Sequence, residues 1–282
     1  MIRRVGVVGC GLMGSGIAEV AARSGYEVVV RELTAPLLQR GLERIDASLN
    51  RAVDRGKLDA GARDAARARI RGTTVMADLA QADLVIEAVV EKMDEKKAVL
   101  RELDDLVRGE VVLASNTSSL SITEMAAATR RPDRVVGIHF FNPVPIMALV
   151  EIIRGLLTSE ATMQVAREFV QSLGKTVVVA KDTPGFIVNR LLIPYLLDAI
   201  RALELGVASR EDIDTAITLG LGHPMGPLTL LDFVGLDTTY YIAQAMFDEF
   251  KDHRYAPPPL LKQMVLAGWH GRKSGRGFYE YG

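Results

Sequence analysis

The sequence predicts an α/β protein, a doubly wound sheet followed by an all-α C-terminal domain, and three observations carry that expectation. A β-rich run at residues 4–8 leads into the glycine turn Gly9-Cys10-Gly11-Leu12-Met13-Gly14, after which Ile17, Ala18, Ala21 and Ala22 recur at helical spacing. Strand and helix patterns then alternate as far as residues 176–179. Beyond Asp182-Thr183-Pro184-Gly185 the strand signals largely stop. The expected domains are therefore a Rossmann-type nucleotide-binding domain over 1–183 and a helical domain over 184–282.

The glycine spacing has a physical reading at each position. Gly9 permits a tight turn, Gly11 lets a pyrophosphate approach the backbone, and Gly14 lets helix and strand pack closely. Leu12 and Met13 belong to the same candidate set, because the exposed amides of the helix N-terminus face the phosphates. A second strand at 27–30 ends at Glu32, where a carboxylate suits the two adenosine ribose hydroxyls and repels a 2′-phosphate. That favours NAD over NADP, although Arg31 beside it supplies a guanidinium able to serve a 2′-phosphate. Cys10 reads as a small turn residue and not a nucleophile, since no His lies nearby to activate it.

Residues 35–55 and 59–69 read as two arginine-rich helices with mostly solvated faces, separated by Gly56-Lys57. Strand signals return at 70–75 and 84–90, and Ala98, Leu100, Leu103 and Leu106 mark the next amphipathic helix. A strand at 111–114 carries Asn116-Thr117-Ser118-Ser119 at its carboxyl end, where open α/β sheets collect ligands. From local sequence those residues serve equally well as a turn and helix cap. The apolar run 135–139 ends in His139, and Glu151 lies inside the run 149–153. If the two runs are neighbours, Glu151 orients His139 and favours its protonated form, as a proton-shuttling imidazole requires. A lone His beside aromatics is more often a satisfied core residue. A helix at 161–173 and a strand at 176–179 complete the domain.

In the second part, 186–205 reads as one long helix bent at Pro194, introduced by Asp182 or Thr183 as cap and Pro184 as helix start. Ser209-Arg210-Glu211-Asp212 looks like a cap and first turn for a helix to 218. Residues 220–227 read as a loop, 228–234 and 237–250 as helices, 252–259 as a proline-rich connection, and 272–281 as a docked glycine- and aromatic-bearing tail.

The bulk composition excludes several functions. A chain of 282 residues with 49% hydrophobic and 24% charged content has room for a large core, and a formal charge of −1 speaks against a strong basic field for nucleic acid or membranes. One cysteine allows neither an internal disulfide nor a thiolate metal cluster, and no metal site is expected. Polar residues break every long apolar stretch, so a membrane span is not expected. No targeting peptide is expected either, and the reducing cytoplasm fits.

Several stretches together resemble the short-chain L-3-hydroxyacyl-CoA dehydrogenases, and within them the bacterial 3-hydroxybutyryl-CoA dehydrogenases. They are the glycine turn, Asn116-Thr117-Ser118-Ser119, His139-Phe140-Phe141-Asn142-Pro143, Val150-Glu151, the run from Asp182 to Arg190, Pro224-Met225-Gly226-Pro227, and Gly275-Arg276-Gly277-Phe278-Tyr279. The resemblance covers essentially the full chain and implies NAD-dependent interconversion of L-3-hydroxyacyl-CoA and 3-ketoacyl-CoA, with short chains favoured. It implies His139 as the base, Glu151 as its partner, and Ser118 and Asn189 as substrate-orienting residues. It adds Glu91, Lys96 and Asn116 to Gly9, Gly11, Gly14 and Glu32 on the cofactor side. On the acyl-CoA side it adds Asn142, with Ser48, Arg55 and nearby Lys57 for coenzyme A. At Arg55 the family often has lysine. A homodimer through the helical domain is expected. The competing readings are a dehydrogenase of non-thioester 3-hydroxy acids and a non-catalytic NAD-sensing protein on the same fold.

Overall fold

The computed structural model describes residues 2–282, in which the chain divides into two compact units, Met1–Thr183 and Pro184–Gly282. In the first unit, strands β1 (Arg4–Val8), β2 (Glu27–Arg31), β3 (Ile70–Thr73), β4 (Leu84–Glu87), β5 (Val112–Ser115), β6 (Val135–Phe140), β7 (Leu149–Arg154) and β8 (Thr176–Lys181) form one sheet in the order β3-β2-β1-β4-β5-β6-β7-β8. β1 to β6 are parallel; β7 turns back against β6, and β8 runs parallel to β7. Strand order reverses at β1, which opens a crevice beyond the carboxyl ends of β1 and β4. Flanking helices are α1 (Leu12–Arg23), α2 (Ala35–Asp54), α3 (Ala60–Ala68), α4 (Met93–Leu106), α5 (Ile122–Ala126) and α6 (Glu160–Ser172).

The local sequences explain these elements. Strands such as Val-Gly-Val-Val and Leu-Val-Ile-Glu are apolar without alternation because the sheet is covered on both faces, and Val5, Val7, Leu84 and Ile86 are buried. α2 starts with Pro36 in its first turn and buries Gly41, Ile45 and Leu49, spaced four apart along one face. Burying Ile45 and Leu49 contributes about 1.5–3 kcal/mol each. β3 and β4 are shorter than the apolar runs at 70–75 and 84–90 suggest. A 3-10 turn at Met76–Leu79 takes over after β3, and residues 88–92 leave the sheet to form the crest above β4.

The second unit is helical: α7 (Val188–Glu204), α8 (Arg210–Gly220), α9 (Pro227–Val234), α10 (Leu236–Phe250) and α11 (Pro259–Leu266). α7 starts later than the apolar pattern from 186 suggests because Gly185 (φ 80°) and Phe186 (φ 47°) sit in the left-handed region. α11 lies past the proline-rich connection, where Pro258 and Pro259 open a helix instead of ending one. The core gathers Ile193, Leu196, Ile200, Leu228, Leu231, Ala243, Met246 and Leu261. Two buried carboxylates organise it. Asp214 accepts from the Leu228 and Thr229 amides (2.8 and 2.9 Å) and from the Tyr279 hydroxyl (3.0 Å), which caps α9. Asp232 accepts from the Phe278 and Tyr279 amides (2.9 and 2.8 Å) and the Tyr281 hydroxyl (2.9 Å), which docks the tail. A Cβ on Gly277 would meet Asp232 Oδ1 at 1.9 Å, so the tail glycine is there to make room for that carboxylate.

Candidate active site

The turn from β1 into α1 is shaped for a dinucleotide. Gly9 holds φ 94°, and a Cβ on Gly14 would strike Gly9 O at 1.8 Å, whereas a Cβ on Gly11 would meet nothing within 4 Å. No side chain caps α1, and no acidic residue lies in its first turn. The open face above Gly11 and the uncapped helix end, with Leu12 exposed beside them, fit the pyrophosphate of a dinucleotide. Glu32 spans the turn from the far side: it accepts from the Cys10 amide at 2.8 Å and the Leu33 amide at 2.7 Å. The Arg44 guanidinium of α2 donates to Cys10 O at 3.2 Å. Burial, reinforced by Glu32 and opposed by Arg44, pushes the Cys10 thiol up to about 11, so at neutral pH it is an inert packing group.

Above β4 and β5 lies a charged network. Glu87, the last residue of β4, is fully buried and bonded to Lys96 Nζ at 2.5 Å; Lys96 is itself only 1% exposed. Lys96 is thus an interior residue, although the resemblance places it on the cofactor side. It also reaches Glu91 Oε2 at 3.2 Å. Burial raises the Glu87 carboxyl above the ordinary range, and Lys96 opposes that shift. Glu91 behaves oppositely. Burial would raise it, but Lys96, the Thr117 hydroxyl and the Ser118 amide outweigh burial and hold it low. Its Oε1 accepts from the Thr117 hydroxyl, the Ser118 amide (2.9 Å) and the Ser118 hydroxyl (3.4 Å).

The loop after β5 serves as both turn and site scaffold. Thr117 Oγ1 accepts from the Leu120 amide (3.0 Å), while Asn116 Oδ1 accepts from Phe140 N (2.9 Å) and Asn116 N donates to Glu87 O (2.9 Å). Phe140 follows His139 directly. β6 and β7 place His139 opposite Glu151 in antiparallel register, with His139 Nδ1 and Glu151 Oε2 2.7 Å apart and both residues buried. The His139 ring also packs on Phe141, centroid to centroid at 4.6 Å. Asn142 is exposed in the β6–β7 connection, which Lys175 braces by donating to Val144 O and Met147 O, each at 2.7 Å.

Asp182 does something the sequence reading did not anticipate. Its carboxylate caps α5, accepting from the Ile122 amide (2.9 Å), the Thr123 amide (2.7 Å) and the Ser121 hydroxyl (3.0 Å), whereas the sequence pattern offers it or Thr183 as the cap of α7, whose N-cap position is Ile187. Of the coenzyme A candidates, Arg55 and Lys57 are exposed at the end of α2, while Ser48 is half-buried on the same helix. Asn189 lies in the first turn of α7 in the second unit. Around this site, Glu87 and Asp182 are organising carboxylates whose roles the sequence reading missed. A lone acid ending an apolar strand is the signal that marks Glu87; Asp182 and its partner amides lie 60 and 59 residues apart and leave none. Among the described residues no cluster of three or more His, Cys, Asp or Glu side chains is placed to hold a metal, and no helix is long and apolar enough to cross a membrane.

A dinucleotide cradle on a doubly wound sheet, with a His–Glu pair on the neighbouring strands, defines the class of nicotinamide-dependent dehydrogenases. Residues 4–183 match the family described as 3-hydroxyacyl-CoA dehydrogenase, NAD binding domain, and residues 185–281 match its C-terminal domain. The chain is 55% identical over 282 residues to a 3-hydroxybutyryl-CoA dehydrogenase of Mycobacterium tuberculosis, covering 99% of both. The solved structure of M. tuberculosis FadB2 superimposes with a TM-score of 0.98 at 55% identity, covering 100% of this chain and 99% of the other. That of (S)-3-hydroxybutyryl-CoA dehydrogenase PaaH1 from Ralstonia eutropha gives 0.96 at 46% identity, covering 100% of both. The chain belongs to the 3-hydroxyacyl-CoA dehydrogenase family and is an NAD-dependent enzyme of that type.

Proposed function

We propose that the protein interconverts 3-hydroxybutyryl-CoA and acetoacetyl-CoA with NAD, using His139 and Glu151 as an acid/base pair. The observation that carries this reading is the buried cross-strand contact of 2.7 Å between them. A hydrogen on Nδ1, donated to the carboxylate, fixes the tautomer in which Nε2 is the base. In oxidation Nε2 takes the hydroxyl proton, and Glu151 stabilises the imidazolium that results. The nicotinamide, when bound, accepts the hydride from the same carbon. In reduction the imidazolium returns its proton to the carbonyl oxygen. Ser118 and Asn189 orient that oxygen and the thioester.

On the cofactor side, the Gly9–Gly14 turn, with the Leu12 and Met13 amides, receives the pyrophosphate. Glu32 favours NAD, since a 2′-phosphate would face its carboxylate. Glu91 and Asn116 shape the nicotinamide end, and Lys96 contributes by holding Glu91 and not by direct contact. Arg55 and Lys57 suit the coenzyme A phosphates better than Ser48, which is half-buried and uncharged. Asn142 borders the acyl site. A cytoplasmic homodimer joined through the helical unit completes the proposal.

The test is oxidation of NADH and of NADPH against 3-ketoacyl-CoA thioesters of increasing length, with free acetoacetate as control. The expected result is the highest kcat/KM with acetoacetyl-CoA and NADH. Equal turnover of free acetoacetate would sink the thioester reading, and a preference for NADPH would sink the role of Glu32.

A further inference from the structure

We infer that Asp182 is a positioning residue for Ser118, an inference that rests on the proposed substrate-orienting role of Ser118. The chain between them is short and closely held. Ser118 is followed by Ser119, Leu120 and the α5 N-cap Ser121, whose own Oγ accepts from the Glu124 amide at 3.2 Å. Asp182 takes the next two donors, Ile122 N and Thr123 N, together with the Ser121 hydroxyl. All three first-turn amides of α5 are thereby satisfied, two of them by a residue from the far end of the sheet.

A five-residue helix has too few internal bonds to hold its own place; its buried Ile122, Met125 and Ala126 seat it in the core, and Asp182 fixes its N-terminus. On the other side of Ser118 the loop is held by Thr117, Asn116 and Glu91. Without Asp182 the bonds of Thr117 and Glu91 around Ser118 remain, including the Leu120 amide on Thr117 Oγ1, but the first turn of α5, three residues further on, loses the carboxylate that fixes it. Asp182 is also the last residue but one of its unit and is joined by a short linker to the segment that carries Asn189. Its carboxylate bonds to the start of α5, an element separate from the Gly9–Gly14 turn.

The experiment compares Asp182→Asn, Asp182→Glu, Ser118→Ala and the Asp182→Asn/Ser118→Ala double variant in acetoacetyl-CoA reduction, with NADH binding followed by fluorescence. For Asp182→Asn the expected result is a roughly tenfold to hundredfold fall in kcat with a raised KM for acetoacetyl-CoA, while NADH affinity stays within about twofold. Asp182→Glu, which keeps the charge, shows the same split with a smaller loss and serves in its place if Asp182→Asn does not fold. In the Ser118→Ala background Asp182→Asn costs nothing further. Additive losses, or an equal weakening of NADH binding, would overturn the inference while leaving the Ser118 role intact. Full activity of Ser118→Ala would overturn that role and this inference with it.

Discussion

Glu87 and Glu151 are both fully buried carboxylates on strands of one sheet, and they differ in the cation they face. Glu87 meets Lys96, whose nitrogen only donates, and the resulting pair ties β4 to α4. Glu151 meets His139, whose ring carries a second nitrogen able either to donate or to accept a proton. The fixed pair holds a scaffold in place, whereas the second, switchable pair is the one proposed to carry the proton. The same side chain, equally desolvated, takes its role from the chemistry of its partner.

The largest effect is expected at the switchable pair. His139→Gln should lower kcat by about a hundredfold to ten-thousandfold while preserving NADH binding, read by steady-state kinetics beside a binding titration. Near wild-type turnover would remove His139 from proton transfer. The fixed pair should answer in stability instead. Lys96→Met leaves Glu87 buried without its cation and should cost about 3–5 kcal/mol in urea unfolding, most of it recovered when Glu87→Leu is added. If the single change costs little, the pair is not desolvated in solution and the contrast collapses.

Glu151→Gln sharpens the difference. It keeps the shape and removes the charge that stabilises the imidazolium, so kcat should fall roughly tenfold to a hundredfold, as expected for losing a charged hydrogen bond of about 1.5–3 kcal/mol. A loss of stability with unchanged kcat would place this pair with the fixed ones. The smallest effect comes from a second fixed site. Burial would raise the Asp104 carboxyl, but the Arg130 amide and the Arg131 and Arg130 guanidinium groups prevail and hold it below the usual range. A depressed folded value means stability that is present above the unfolded value and lost as pH falls through the folded one. The melting difference between the protein and Asp104→Asn should therefore be constant at neutral pH and shrink below about pH 4. A difference independent of pH would show that the carboxylate charge contributes nothing there.

Much of the β6–β7 strand pair was legible because its signals are local. An apolar run ending in His139 and another enclosing Glu151 predict two strands, and the connection between them is short enough to bring them into antiparallel register. The glycine turn was legible for the same reason, since each glycine answers a steric demand made within a few residues of it. Lys96 was not, because helical spacing cannot tell a solvated lysine from one folded inward onto Glu87. Asp182, Asp214 and Asp232 were illegible as anchors, since each satisfies backbone amides on an element whose position depends on the finished fold. The α11 helix was hidden by prolines that read as a connection and in fact initiate it.

Asn116 links two regions that sequence keeps well apart. Its side chain receives the amide next to His139 while its own amide is tied to the end of β4, and Ser118 follows two residues later. The strand bearing the imidazole and the loop bearing the hydroxyl therefore share one joint, and neither drifts without carrying the other. The ordering of these two groups is completed when the chain folds, so an arriving substrate meets a geometry already set and spends none of its binding energy assembling it.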